Sequence, residues 1–393
     1  MEFILHQVHK VRAFGWLYLA NLMVGFHFYS VQFIHSNFLS TFLDTTSVGL
    51  LYTVASALGL LLVGSAGVFL SILGNVRTAF IFSALDLCAM LVLATATSPA
   101  LLVVAFCLHT CLVPVVLFTL DVFLEQKTTE ESTTGNVRGL FLSVATIAAL
   151  FAPMIAGYLA GEEGVYAHVY LFSAIFLLPL LCILGFQLRS FTDPPYRIFS
   201  PIRTLRAAIR NPDILRIASA QFLMRFFFAW NVIFLPVYLH TQIGFTLPEI
   251  GTVLFIMLLP YVFVELPAGI IADTWLGEKE LLFAGFIFVI TGTVGMYFVT
   301  TPNVALWGGV LFISRIGLAL IESMTETYFF KKIRSRDTDL LALFRILRPL
   351  AYTVGPVIAT GILMLTDLRH LWLVLAAIML IGIYQTARLI DTK

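Results

Sequence analysis

Twelve runs of about 20 apolar residues, each the length a helix needs to cross a bilayer, follow one another along the chain. Their limits fall near 13–35, 46–71, 78–96, 99–122, 138–160, 166–188, 217–240, 247–272, 281–299, 304–327, 341–365 and 369–390. Lys10 and Arg12 precede the first run with no small-residue cleavage site, so a cleavable signal peptide is not expected. The longest polar stretch, 189–216, parts six runs from six. It carries Arg189, Arg197, Arg203, Arg206, Arg210 and Arg216 with Pro194, Pro195, Pro201 and Pro212. Ile202, Leu205 and Ile209 recur there at helical spacing among the arginines, which predicts a short helix on the membrane surface, in a stretch that also serves as a basic linker. The expected architecture is an all-α integral membrane protein with twelve transmembrane helices. It divides into an N-terminal bundle (1–190), the linker (191–216) and a C-terminal bundle (217–393).

Composition narrows the function. Of 393 residues, 60% are hydrophobic and only 11% charged, with a mean hydropathy of +0.98. That excludes an ordinary globular enzyme and a disordered chain. The net charge of +1 provides no field for nucleic acid. Thirty-six Phe suit a lipid-facing surface. Cys88, Cys107, Cys111 and Cys182 all fall inside apolar runs and read as packing residues. No phosphate loop, metal-ligand spacing or nucleophile elbow occurs, so neither an enzyme nor a cofactor is expected.

Basic residues set the orientation. Of the 23, four lie within spans (Arg225, Arg315, Arg345, Arg348) and Arg369 lies on the far side. The other eighteen fall in cytoplasmic segments if both termini are cytoplasmic. Asp44, Glu162, Glu163, Glu249 and Asp367 occupy the outer connections. This is the expectation for a multi-pass protein of the inner or plasma membrane.

The halves repeat. Ser47-Val48-Gly49 and Glu249-Ile250-Gly251 open equivalent spans 202 positions apart, and Gly67 and Gly269 keep that offset. Gly74 pairs with Gly277, and Ala152-Pro153 with Gly355-Pro356, at 203. Duplicated six-span units of this kind occur in secondary transporters, with the binding site between the halves near the midplane.

Gly269-Ile270-Ile271-Ala272-Asp273-Thr274-Trp275-Leu276-Gly277-Glu278-Lys279 resembles the signature loop of the major facilitator superfamily, departing from it by one extra residue and by Glu278 and Glu280. The first-half copy keeps Gly67, Gly74 and Arg77 but has Ser71 at the Asp position. Asp121, followed by a polar loop ending in Arg138-Gly139, is similar to the junction of the fourth and fifth spans. Arg315-Ile316-Gly317-Leu318-Ala319 resembles a degenerate arginine motif, and the two Xaa-Pro pairs resemble the family's bends. The resemblance implies secondary transport by alternating access in two pseudo-symmetric six-helix bundles. It also implies a gating role for Gly67, Gly74, Arg77, Asp121, Gly269, Asp273, Gly277, Lys279, Arg345 and Arg348. Gly269 would allow close helix approach, and Asp273 would take bonds from helix N-termini or from Lys279.

Ionisable groups within spans cost several kcal/mol unless paired or wet. His27, His109, Arg225 and Arg315 lie at similar depth, one on each span that the resemblance places around the central cavity. Together with Gln221, Trp230 and Asn231 they form an expected substrate ring. Guanidinium groups suit carboxylate or phosphate. The alternatives are arginines neutralised by Glu265 or Glu322, and histidines that are satisfied packing residues. Glu322 and Glu326, with Glu265 and Asp86, are expected proton carriers. The expected function is proton-coupled transport of a small molecule, with an organic anion as a candidate substrate, by a monomer. Proton-driven export of amphipathic or cationic compounds and a non-transporting membrane sensor on the same fold are the rivals.

Overall fold

The computed structural model describes residues 2–127, 131–194, 196, 206, 209, 211–332 and 338–390, and among them it is helical without strands. The first half comprises α1 (Glu2–Gln32), α2 (His35–Leu39), α3 (Thr45–Gly64), α4 (Ala66–Leu73), α5 (Asn75–Thr95), α6 (Pro99–Lys127), α7 (Glu131–Ala160) and α8 (Tyr166–Cys182). The second comprises α9 (Pro212–Tyr238), α10 (Leu247–Leu258), α11 (Pro260–Thr274), α12 (Glu278–Phe298), α13 (Val304–Lys332), α14 (Thr338–Leu363) and α15 (Leu368–Ala387). The surface helix expected around Ile202–Ile209 lies almost wholly outside the described residues.

Eleven helical stretches among the described residues are long and apolar enough to cross a membrane. The first expected span falls in α1, which has the length but is diluted by the buried polar residues Asn21, His27 and Ser30. Turn chemistry sets several helix starts. Asn211 caps α9, its Oδ1 accepting the N–H groups of Asp213 (3.1 Å) and Ile214 (3.3 Å). Thr246 and Glu249 bond reciprocally at the start of α10.

Contacts group the chain into two units, residues 1–34 with 58–199 and residues 35–57 with 200–393, so the boundary falls within α3. In the first unit α5 packs on α6 and α8, while α1 packs on α6, α7 and α8. In the second, α12 packs on α13 and α15, while α9 packs on α13, α14 and α15. The two lists describe one arrangement used twice, as the repeat in sequence requires. Small residues bring α12 and α13 together: a Cβ on Gly292 would lie 2.7 Å from Ser314 Cβ, and one on Gly317 2.7 Å from Val289 N.

Candidate functional site: a polar seam and a buried arginine

Helices α9 and α13 run antiparallel and carry four polar rungs. Lys332 Nζ meets Asp213 Oδ2 at 3.4 Å, and Thr325 Oγ1 donates to Gln221 Oε1 at 2.8 Å. Arg225 Nη2 donates to Glu322 Oε1 at 2.8 Å, and Arg315 Nη2 donates to Asn231 Oδ1 at 3.3 Å. Steps of eight, four and six residues along α9 are answered by seven, three and seven back along α13. Two straight helices packed along one seam produce this matched spacing. The seam therefore holds Gln221, Arg225, Asn231, Arg315 and Glu322 in register.

The rungs differ in charge balance. Arg225 has a carboxylate partner, and both side chains keep some exposure, 19% and 23%. Glu322 therefore neutralises Arg225, although counting from the edges of the apolar runs places it deeper. Glu326 also acts on Arg225 electrostatically. Arg315 is fully buried, and no carboxylate among the described residues pairs with it. Its Nη2 reaches Asn231 and Met257 Sδ (3.1 Å), while Nε and Nη1 have no acceptor. About three of its five N–H donors are thus unmet. Phe227 and Phe228 flank the guanidinium at 5.4 and 5.3 Å. Each cation–π contact contributes about 2 kcal/mol when desolvated, against a cost of several kcal/mol for burying the charge. The rings offset part of that cost and leave the donors open. Tyr261 and Tyr352 lie close enough to act electrostatically on both arginines. Nothing in the sequence pattern singled out these two tyrosines or the Phe pair.

Trp230, expected in the substrate ring, is buried, and its indole N–H donates to the Gly355 carbonyl at 2.8 Å. That bond joins α9 to α14 beside the Gly355-Pro356 bend.

The first unit holds the histidines elsewhere. His27 Nε2 lies 2.8 Å from Asp86 Oδ2, and His109 Nδ1 lies 2.8 Å from Asp86 Oδ1. Ser173 Oγ lies 2.7 Å from His27 Nδ1 and 2.9 Å from the His27 carbonyl oxygen. All four residues are buried. Asp86, expected as a separate proton carrier, is thus the common partner of both histidines.

Residues expected in gating are distributed along the helix ends. Gly74 turns the chain into α5 at φ +80°, and Arg77 and Asp121 are exposed. Gly67 lies within α4. Gly269 does not mediate a close approach, since a Cβ there would meet nothing within 4 Å. Gly277 starts α12, its N–H held by Glu280 Oε2 at 3.0 Å, and Glu278 pairs with Lys331 of α13. Lys279 and Arg348 are half-buried. The side chains of Glu265, Asp273 and Arg345 lie outside the described residues.

A chain of apolar helices in two halves of like packing, with ionisable side chains spaced along a buried helix seam, is a multi-pass membrane transporter and not an enzyme. The family model of the Major Facilitator Superfamily matches residues 17–338 and again 217–392, and the chain belongs to that superfamily. The nucleoside transporter NupG shares the fold with a TM-score of 0.73 at 12% identity, over 96% of this chain and 98% of that one. A bacterial homologue of the human lysosomal transporter Spinster, inward-facing and occupied, aligns with a TM-score of 0.74 at 14% identity, over 97% of each chain. The human organic anion transporter MFSD10 aligns with a TM-score of 0.66 at 14% identity, over 96% and 99%. No curated protein matches the sequence.

Proposed function

We propose that this chain is a secondary active transporter of the cell membrane, with cytoplasmic termini, that carries a compact organic anion in a cycle coupled to protons. The observation that supports this reading is Arg315: a buried cation held by two aromatic faces, an amide and a thioether, with unmet N–H donors and no acidic partner among the described residues. A carboxylate or phosphate arriving at those donors supplies both the missing charge and the missing acceptors. Arg225, one helix turn and a half along the seam, is released to a substrate only if Glu322 lets it go. Export of cations finds less support, because Glu322 is committed to Arg225. The neighbours in fold do not choose, since one is a nucleoside transporter and another an organic anion transporter, and at this identity they share the fold alone.

The test is uptake of radiolabelled succinate, benzoate and inorganic phosphate into proteoliposomes, with tetraphenylphosphonium as the cation, for the wild type and Arg315→Gln. Anion uptake lost in the variant, with thermal stability kept or raised, supports the reading, because removing an uncompensated buried charge relieves the fold. Anion uptake unaffected by the substitution overturns the anion site. Absence of flux for every solute supports the sensor.

A further inference from the structure

The cluster of His27, Asp86, His109 and Ser173 takes no part in the anion site, yet its hydrogen bonds fit two protonation states with the same heavy-atom positions. With Asp86 ionised, both its oxygens accept, which assigns a proton to His27 Nε2 and another to His109 Nδ1. Ser173 has one hydroxyl hydrogen and three acceptors in reach: His27 Nδ1 at 2.7 Å, the His27 carbonyl oxygen at 2.9 Å and the weaker Met90 Sδ at 3.6 Å. With His27 neutral, the hydroxyl donates to Nδ1. With His27 charged, Nδ1–H donates to Ser173 Oγ and the hydroxyl turns to the carbonyl. A proton enters or leaves at the cost of one hydroxyl rotation.

The charge count agrees. Two neutral imidazoles leave Asp86 an unbalanced anion at 1% exposure, and one added proton makes the cluster neutral. Among the described side chains, no other charge on the helices packed around it does this. On α5 the next charged group is the exposed Arg77, about 14 Å along the helix from Asp86. On α6 the neighbours are Cys107 and Cys111, with Asp121 about 18 Å away. The membrane stretch 139–160 of α7 offers only Tyr158, α8 offers Tyr166, Tyr170 and the exposed His168, and the described side chains of α1 offer Tyr18 and Tyr29. A metal fits less well. Bonds of about 2.0–2.1 Å in a tetrahedral zinc site set ligand atoms about 3.3 Å apart, and the nitrogen–oxygen pairs stand at the hydrogen-bond distance of 2.8 Å.

We propose that His27, Asp86, His109 and Ser173 form a buried carrier for a single proton, the coupling ion of the transport cycle. Its role in transport rests on the proton-coupled reading above, whereas its proton binding does not. Infrared difference spectra of the purified protein, recorded across a pH titration, test the binding without any solute. A histidine ring band that converts in the wild type and disappears in His27→Gln and in Asp86→Asn is expected. Converting histidine bands that are the same in the wild type and both variants, or stoichiometric Co²⁺ uptake that Asp86→Asn abolishes, overturn the proposal. Proteoliposomes then test the role: Asp86→Asn and His27→Gln are expected to lose pH-gradient-driven succinate accumulation and to keep succinate counterflow at equal pH, which also certifies the fold. Full gradient-driven accumulation in both variants overturns the carrier. A wild type that shows counterflow but no response to a pH gradient overturns the coupled reading, with the infrared result standing on its own.

Discussion

Asp193 Oδ1 accepts the backbone N–H of Asn75 at 2.7 Å across 118 positions of chain. Helix α5 begins there without a side-chain cap of its own, after Gly74 at φ +80°. The carboxylate therefore sits at the positive end of the helix dipole, and Tyr196 donates its hydroxyl to the same oxygen. The first-half signature loop has Ser71 where its counterpart has Asp273, and an acid from the far end of the same unit serves this helix start. Asp193→Ala is expected to lower stability by about 1 kcal/mol, the usual worth of a cap. Gly74→Ala is expected to cost more, since a Cβ would add left-handed strain of about 1–2 kcal/mol and stand 2.6 Å from Asp193 Oδ2. Thermal unfolding in detergent reads both, and an unchanged Tm for Asp193→Ala would show that the contact contributes nothing.

The pair of Arg225 and Glu322 joins the middle of α9 to α13. Removing one partner strands the other charge, at a cost of about 3–5 kcal/mol for a fully buried pair, and less here because both groups are partly exposed. Arg225→Gln and Glu322→Gln are each expected to lower Tm, and the double variant to recover most of the loss. A double variant less stable than either single one would refute a simple pair and point to Glu326 as a second partner of Arg225.

Much of this arrangement is legible without coordinates. Hydropathy marks the spans, and the constant offset between the halves foretells the shared packing of α1 and α9 or α5 and α12. The Arg225–Glu322 contact stood only as an alternative because depth was counted from the edges of apolar runs. The helix starts earlier, at the Asn211-Pro212-Asp213 cap, and from the Asp213–Lys332 rung Arg225 lies twelve residues in and Glu322 ten. An early reading of that cap signal would have aligned them. The meeting of His27 and His109 on Asp86 was hidden for another reason. One sequence does not show which helices of a bundle are neighbours, so His27 and His109 read as part of a substrate ring and Asp86 as a separate proton carrier.

Acid sensitivity is expected at the starts of α3 and α15. Asp44 accepts bonds from Ser47 Oγ and from the N–H groups of Ser47 (3.2 Å) and Thr46 (3.0 Å). These bonds, the Ser47 hydroxyl first, hold its carboxyl below the ordinary carboxylate range. Asp367, bonded to the His370 N–H, is lowered in the same way. A depressed carboxylate stabilises fully above its unfolded pKa and loses that contribution as pH falls through the folded value. The Tm gap between wild type and Asp44→Ala should therefore stay constant at neutral pH and close on acidification. A gap that widens in acid would contradict the assignment.

Two glycines separate packing from gating. Gly317 sits where α13 crosses α12, against the Gly285 carbonyl and Val289 N, so Gly317→Ala forces two backbones apart. Overpacking of this kind costs about 1–3 kcal/mol, more than the 0.5–1 kcal/mol or so that alanine returns in helix propensity. Gly269, in the signature loop, has open space around it, so Gly269→Ala should leave Tm unchanged or slightly raised. Its effect on succinate counterflow is then informative by itself. Transport lost at full stability means the glycine is needed for a close approach in another conformation of the cycle, as the gating role of the loop requires. Transport retained means that in this chain the loop acts through its charged contact, Glu278 with Lys331, and Lys331→Ala should then impair the cycle where Gly269→Ala does not.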